Sequence, residues 1–157
     1  MKKTFKITGI IVAALVLLAL AASFLLGITP LSFGLHKPVY SKSGKVLDGY
    51  DVVSYFEGRP VRGNAAYSME WRQSTWRFAS AEHLNTFRAS PERFVPQFGG
   101  YCTKAISTGF AAPGDPEVWL VRDEKLYIFA SEEVKNEFIR DPESITAACN
   151  KVWDQRN

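Results

Sequence analysis

The chain of 157 residues is long enough for one folded domain and an appendage, and its formal net charge is +3. Lys2, Lys3 and Lys6 account for all of this charge, because sixteen basic residues elsewhere balance sixteen acidic ones. Beyond these lysines the chain is formally neutral and has no basic cluster interleaved with aromatic residues, so no nucleic-acid partner is predicted.

An apolar segment follows this basic start. Residues 7–28 are apolar except for Thr8, Ser23 and two glycines. A helix of this length, at about 1.5 Å per residue, measures about 33 Å and can cross a hydrocarbon core of about 30 Å. Residues 1–29 are therefore predicted to be an uncleaved signal anchor, with the lipid bilayer as partner. The basic start stays in the cytoplasm, which predicts a single pass through a bacterial inner membrane with the C-terminal part outside the cytoplasm.

A cleavable signal peptide is the alternative interpretation of the same residues. The triplet Ala19-Leu20-Ala21 resembles a signal-peptidase site, and cleavage there would release the chain into the periplasm. The apolar segment continues through Leu26, however, which is longer than the apolar region of an ordinary signal peptide. In both interpretations the remainder of the chain is exported.

Residues 30–46 are rich in Ser, Gly, Lys and Pro and show little periodicity. This composition predicts a tether between the membrane and a domain, in which His36 is solvated. Asp48-Gly49 is a turn signal, and the sequence after it is dense in aromatic and β-branched residues. The domain is therefore assigned to residues 47–157.

A repeat with an offset of 51 residues occupies much of this domain. The sequence FASAEHLNTFRASPERF at 78–94 returns as FASEEVKNEFIRDPESI at 129–145. Two short strand-like runs precede each copy, which predicts a hairpin before each helix. The four predicted strands are Tyr67–Trp71, Thr75–Ala79, Val118–Val121 and Leu126–Ala130.

The helices that follow these hairpins have clear boundaries. Ser80 and Ser131 are suitable N-caps, and each helix stops before a proline. The predicted fold is α+β, with a small antiparallel sheet built from two duplicated hairpin–helix units and an N-terminal transmembrane or signal helix. Residues 98–117 would lie between the copies, with a short strand at Tyr101–Ile106 flanked by tight turns.

The copies differ where the first has His83 and the second has Val134. Val134 and Phe138 are four residues apart on one helical face and are expected to point into the core. By register, His83 and Phe87 occupy the same face, so the imidazole is predicted to point inward. A buried imidazole needs a hydrogen-bond partner or a metal to offset its desolvation.

Four motifs of the exported part resemble the YHS domain family: GYDVVSYFEGRPVRG at 49–63, the FAS…PERF unit at 78–94, PQFGGYC at 96–102 and PGDPEVW at 113–119. Together they cover nearly the whole exported part. The chain is most similar to the stand-alone bacterial branch that carries an N-terminal signal or anchor.

This resemblance implies a weakened metal site. Family members that accompany copper-transporting ATPases carry metal-binding cysteines in a DPVCGM-like start and an FCSxxC-like corner. Those positions correspond here to Ser54, Ala79 and His83. A hydroxyl, a methyl group and an imidazole therefore replace three thiolates, and only His83 among them remains a good ligand type.

The first functional prediction is an exported binding module that takes copper through His83 and Cys102. Met69 or Ser54 would supply further metal ligands. Thiolate and imidazole together suit Cu(I), or Zn(II) when more ligands join. Structural roles stay open for these residues: His83 as a hydrogen-bonded core residue, Met69 as core packing. Cys102 has two such alternatives, a small buried side chain or a disulfide partner of Cys149.

Two alternatives belong to other functional classes. One is a ligand-free interaction module that binds an envelope protein or a metal-transport partner. The other is an enzyme with Cys102 as nucleophile and His83 as base, oriented by Asp51. Asp51 is otherwise predicted to be a helix cap or a buried hydrogen-bond anchor. The sequence carries no cysteine-enzyme signature and no assignable oxyanion donor, so a non-enzymatic role is favoured.

Overall fold

The structure is a computed structural model that describes the backbone of residues 2–153 and the side chains of residues 10–153. Met1, the side chains of the three N-terminal lysines and the last four residues of the predicted domain lie outside the described residues. The part that is described is an α+β protein with seven helices, eight short strands and three small sheets.

Helix α1 comprises Lys2–Leu25 and ends in a left-handed cap. Gly27 has a φ of +67°, which costs glycine little, and the Ile28 N–H donates to the Ser23 carbonyl at 2.9 Å. Large apolar side chains are exposed along and just after this helix: Ile10, Ile11, Val12, Leu15, Val16, Leu17, Leu18, Leu20, Phe24, Leu25 and Leu26. Among the residues that the structure describes, no helix combines the length and apolar character needed to cross a membrane.

The segment after α1 is folded, in contrast to the predicted tether. β1 (Thr29–Pro30) pairs antiparallel with β6 (Phe110–Ala111), and β2 (Ser41–Lys42) pairs antiparallel with β3 (Lys45–Val46). The buried apolar side chains of this segment are Leu31, Val39 and Val46. They are too far apart in sequence to form a recognisable period, which is why composition alone suggested a tether.

Each helix and strand of residues 52–94 recurs 51 residues later. The first copy contains α2 (Val52–Phe56), β4 (Asn64–Trp71), β5 (Ser74–Phe78), α3 (Ala81–Ala89) and α4 (Pro91–Phe94). The second copy contains α5 (Thr103–Ser107), β7 (Asp115–Arg122), β8 (Lys125–Phe129), α6 (Glu132–Arg140) and α7 (Pro142–Trp153). The duplicated unit is therefore longer than the predicted hairpin and helix, because it also includes the short helix that precedes each hairpin.

Residues 103–117, most of the predicted connection, consequently belong to the second copy. The strand predicted at Tyr101–Ile106 is wrong, because residues 103–107 form α5. The flanking turn signals suggested a strand, but Thr103 and Ile106 are buried three residues apart on one face of this helix.

The duplication extends to backbone details. A β-bulge interrupts β4 and β7 at equivalent places. Gly63 and its counterpart Gly114 precede these strands, and a Cβ on either would lie 2.5 Å from a neighbouring heavy atom. For Gly63 that atom is the backbone carbonyl carbon of Arg77, and for Gly114 it is Cγ2 of Ile128. Glycine at this position therefore lets the chain pass closely over the second strand of each hairpin.

The two hairpins lie in separate sheets, which corrects the prediction of one antiparallel sheet. The first hairpin is part of a four-stranded sheet with the order β2-β3-β5-β4, in which Lys45 of β3 pairs parallel with Thr75 of β5. β7 and β8 form a two-stranded sheet of their own. Strands β2 and β3 enlarge the first sheet because they come from the folded segment that precedes the first copy.

Each copy has its own aromatic core beneath its hairpin. In the first copy, Phe87 of α3 packs against Trp76 and Phe78 of β5, with ring centroids 4.8 and 5.1 Å apart. The aromatic residues at the equivalent positions of α6 and β8 pack with centroid distances of 4.9 and 5.2 Å. These pairs hold each long helix against its hairpin, which fixes the start of α3 beside α2.

Candidate functional site

Asp51 is a buried carboxylate at the start of α2. Its Oδ1 accepts from the Val53 N–H at 2.9 Å, which is the N-cap bond of that helix. Its Oδ2 accepts from the Ala79 N–H at 2.7 Å, at the end of β5. The predicted roles of Asp51 as a cap and as a buried hydrogen-bond anchor are both confirmed, and together they join α2 to the hairpin.

His83 lies one turn into α3, and its ring contacts two carboxylates. Ser80 caps the helix by accepting from the His83 N–H at 3.1 Å, as predicted. The ring Nδ1 is 2.6 Å from Asp51 Oδ2, and Nε2 is 3.2 Å from Glu57 Oε1. The side chain of His83 is 17% exposed, whereas that of Glu57, just after α2, is 58% exposed. The imidazole thus connects a buried carboxylate to one at the surface.

The protonation of His83 follows from this position. Burial by itself lowers the pKa of the imidazole, because it disfavours the charged form. The hydrogen bond and charge of Asp51, with a further contribution from Glu57, outweigh burial and raise the pKa above its ordinary value of 6.5. A protonated ring donates from both nitrogens, so it satisfies both carboxylates at once.

Helix α2 is also attached to the second copy. The buried Tyr55 hydroxyl donates to the Pro116 carbonyl at 2.8 Å, and the Tyr50 hydroxyl donates to Glu117 Oε1 at 2.6 Å. Burial is the main reason that the pKa of Tyr55 lies well above its ordinary value. The start of β7 therefore accepts hydrogen bonds from two tyrosines, one within α2 and one just before it.

Cys102 occupies the position in the second copy that Asp51 occupies in the first. It immediately precedes α5, and it is buried, with its N–H donating to the Ala112 carbonyl at 3.0 Å. The second-copy residue that corresponds to His83 is Val134. The two residues predicted to share a metal therefore sit at different positions in different copies. Carboxylates, and not the Cys102 thiol, lie against both nitrogens of His83.

The two additional ligands suggested by sequence have structural partners. The Ser54 hydroxyl donates to the Asp51 carbonyl at 2.6 Å and accepts from the Val61 N–H at 3.0 Å, and the residue is buried. Met69 pairs with Trp76 across the first hairpin and packs against the core of the first copy. Both side chains support the fold, which was the alternative interpretation of Met69.

Both cysteines are free and buried, so the disulfide between Cys102 and Cys149 is not formed. The Cys149 thiol donates to the Thr103 carbonyl at 3.2 Å, which attaches α7 to α5. Burial raises the pKa of Cys149 to about 12. This thiol therefore stays protonated near neutral pH and is a poor nucleophile.

Two of the residues predicted to bind a soft metal, His83 and Ser54, have other hydrogen-bond partners in the structure. Among the described residues, no group of three or more His, Cys, Asp and Glu side chains is placed to hold a metal ion. The thiols are in the core, and the ring nitrogens of His83 face oxygen donors. His83 Nε2 and Glu57 Oε1 lie 3.2 Å apart, and a nitrogen with an oxygen donor suits a borderline divalent ion better than Cu(I).

Glu57 is the residue of this site that the sequence analysis missed. It lies six residues after Asp51, beyond the end of a helix of five residues, so no helical spacing relates the two carboxylates. The usable signal was the repeat itself, because Thr108 stands at the equivalent position of the second copy. The copy with the imidazole is thus the copy with both carboxylates.

The fold and the site together define an α+β domain with an internal duplication and one asymmetric carboxylate–imidazole cluster. A scan against protein-family models, a search of curated proteins and a search of solved structures found no match to the chain.

Proposed function

We propose that the chain is a non-catalytic binding module of the YHS type, attached to the bacterial inner membrane through residues 7–28. Its folded domain lies outside the cytoplasm and binds a neighbouring envelope protein. One observation carries the proposal: both cysteines are buried and His83 is hydrogen-bonded to Asp51, whereas most of the exposed large apolar side chains lie on α1. An apolar helix exposed to this extent is unfavourable in water.

The commitment of the reactive side chains argues against the enzyme alternative. A cysteine nucleophile needs an accessible thiolate beside a base. Cys102 is buried at the start of α5, and the base suggested for it is hydrogen-bonded to Asp51 in the other copy. The Asp51–His83 pair instead joins α2 to α3, which is a structural task.

Fractionation and metal analysis of the full-length protein test this proposal. We expect the chain to remain with bilayers through carbonate washing, because apolar attachment is insensitive to high pH and salt. We also expect copper to leave the melting temperature unchanged, both in the wild type and in Cys102→Ser. Release by carbonate would overturn the attachment. Co-purifying copper that Cys102→Ser removes would restore the soft-metal hypothesis.

A second candidate function rests on the surface end of the cluster. Asp51 holds Nδ1 of His83, and this is the arrangement that orients metal-binding histidines through their other nitrogen. Glu57 Oε1 lies 3.2 Å from Nε2, so a divalent ion such as Zn(II) would take these two donors and complete its shell with water. Such a site would be weak, because the protein supplies two ligands.

Calorimetric titration with Zn(II) separates this candidate from the ligand-free module. Binding that disappears in Glu57→Gln but persists in Glu82→Gln would establish the divalent site. Glu82 is a suitable control because it is an exposed carboxylate on α3 beside His83. Equal heats for the wild type and Glu57→Gln would leave the ligand-free module as the better description.

A further inference from the structure

The connection between α1 and the folded domain is short. Ile28 alone separates the left-handed cap at Gly27 from β1, which pairs with β6 through Pro30 and Phe110. A Cβ at Gly27 would lie 3.5 Å from the Pro113 side chain, so the cap also packs against the loop that follows β6. Any surface that binds α1 therefore lies close to the side of the domain formed by β1, β6 and the loop that follows β6.

Apolar side chains project from the domain beside this junction. Phe33 is 60% exposed and Leu35 is 75% exposed, in the segment that follows β1. Phe110, 43% exposed, lies on β6 and pairs with Pro30 of β1. We call these three residues the junction face. The neighbouring surface is a groove of about 860 Å³, bordered by Leu31, Gly34, His36, Phe110 and Trp153 among others.

The two chain segments that contribute the junction face contain no acidic residues. No acidic residue precedes Asp48 in the sequence, and residues 98–114 contain none. Lys37 and Lys42 are exposed in the first of these segments, and Lys104 lies in the second. Lys42 lies 3.7 Å from Asp48, and Lys104 lies 3.2 Å from Glu137.

We propose that the junction face is a membrane-contact surface, with the bilayer interface as its occupant. This inference rests on the proposed attachment through residues 7–28 and adds that the domain itself lies against the lipid. Aromatic and aliphatic side chains enter the interface while lysines face anionic headgroups, which is the combination that monotopic surfaces use. Continuity with the exposed apolar side chains of α1 favours lipid over a protein partner at this place.

Site-directed fluorescence on the full-length chain tests the surface. Leu35→Cys is labelled with an environment-sensitive NBD probe, since the native cysteines are buried, and the protein is reconstituted in vesicles of phosphatidylcholine and phosphatidylglycerol. We expect a blue-shifted emission that acyl-chain nitroxide lipids quench. Ile139→Cys is the matched control, because Ile139 is an exposed aliphatic residue on α6, and its probe should be quenched by aqueous iodide.

The outcomes separate the two proposals. If the protein does not float with the vesicles, both the attachment and the membrane-contact surface are overturned. If it floats but the probes at positions 35 and 139 are equally accessible to iodide, the attachment stands and the contact surface is overturned. Phe110→Cys supplies an independent position on β6, and lipid quenching there together with position 35 supports the surface as defined.

Discussion

Asp51 and Cys102 are equivalent residues of a duplicated fold. Each immediately precedes a helix of five residues, and the N–H of each donates to the carbonyl ten residues later, Val61 in one case and Ala112 in the other. The bond lengths are 2.9 and 3.0 Å. In the first copy Asp51 contacts His83, whereas the equivalent positions of the second copy carry the buried Cys102 and Val134. The same backbone therefore supports an ionic contact in one half and an apolar environment in the other.

Removing the buried carboxylate should cost more than removing an exposed one. Asp51→Ala removes the acceptor for the Val53 N–H, the Ala79 N–H and the His83 ring. We therefore expect the free energy of unfolding to fall by about 3 kcal/mol or more. Asp115→Ala removes one exposed turn bond to the Glu117 N–H and should cost less than about 1 kcal/mol. Urea denaturation measures both, and equal losses would contradict the role of Asp51.

The raised pKa of His83 predicts a loss of stability as pH increases. The protonated ring binds its carboxylates in the folded protein, so its contribution is complete below the ordinary pKa of 6.5 and disappears as pH rises through the higher folded-state value. Urea midpoints measured across this window should fall with pH in the wild type. The dependence should vanish in His83→Gln and persist in His36→Gln, the matched variant at the other histidine of the chain.

The equivalence of the copies predicts that the ionic pair can be transplanted. Cys102→Asp alone buries a charge, and Val134→His alone adds an imidazole that lacks its carboxylate, so each should be destabilising. The double variant should lose less stability than the sum of the single variants, with a coupling of about 0.5–3 kcal/mol. Combining Cys102→Asp with Ile139→His, which is exposed, should be additive. Additivity in both combinations would contradict the proposed equivalence.

The glycine before the first strand should be intolerant of a side chain. A Cβ at Gly63 would meet the backbone of Arg77, which has no flexible end to yield, so Gly63→Ala should cost about 1–3 kcal/mol. Gly58→Ala is the comparison, because its Cβ would meet open space and only its φ of +76° is unfavourable, at about 1 kcal/mol. In thermal melts, Gly63→Ala should therefore have a lower melting temperature than Gly58→Ala.

The two thiols should react with a labelling reagent only when the protein is unfolded. Cys102 and Cys149 are buried, so iodoacetamide should modify neither residue in the native protein near neutral pH, and both should react in urea. Mass spectrometry of the intact chain gives the number of labels directly. Rapid native labelling at Cys102 would revive the enzyme alternative.

Local signals in the sequence predicted the local structure well. The serine caps, the hairpins and the inward face of His83 and Phe87 follow from spacing within ten residues, and the structure contains each of them. The contact between Asp51 and His83 spans 32 positions, and no periodicity encodes such a pairing. The sequence analysis paired His83 with Cys102 because residues 98–117 resembled a connection, which concealed the correspondence between Cys102 and Asp51.

The folded segment after α1 escaped prediction for a related reason. Leu31, Val39 and Val46 are separated by Ser, Gly, Lys and Pro residues, and strands of two residues carry no alternation. Their burial depends on contacts with both copies of the repeat, which composition does not reveal.

Because both copies of the repeat belong to one chain, each copy can change its side chains independently of the other. Two separate chains of half this length, associating as a homodimer, would have to repeat every side chain on both subunits. An ionisable pair introduced into one would appear in the other, with its desolvation cost incurred twice. In a tandem chain this constraint is absent. One copy can therefore acquire an ionisable pair while the other copy keeps uncharged side chains at the equivalent positions.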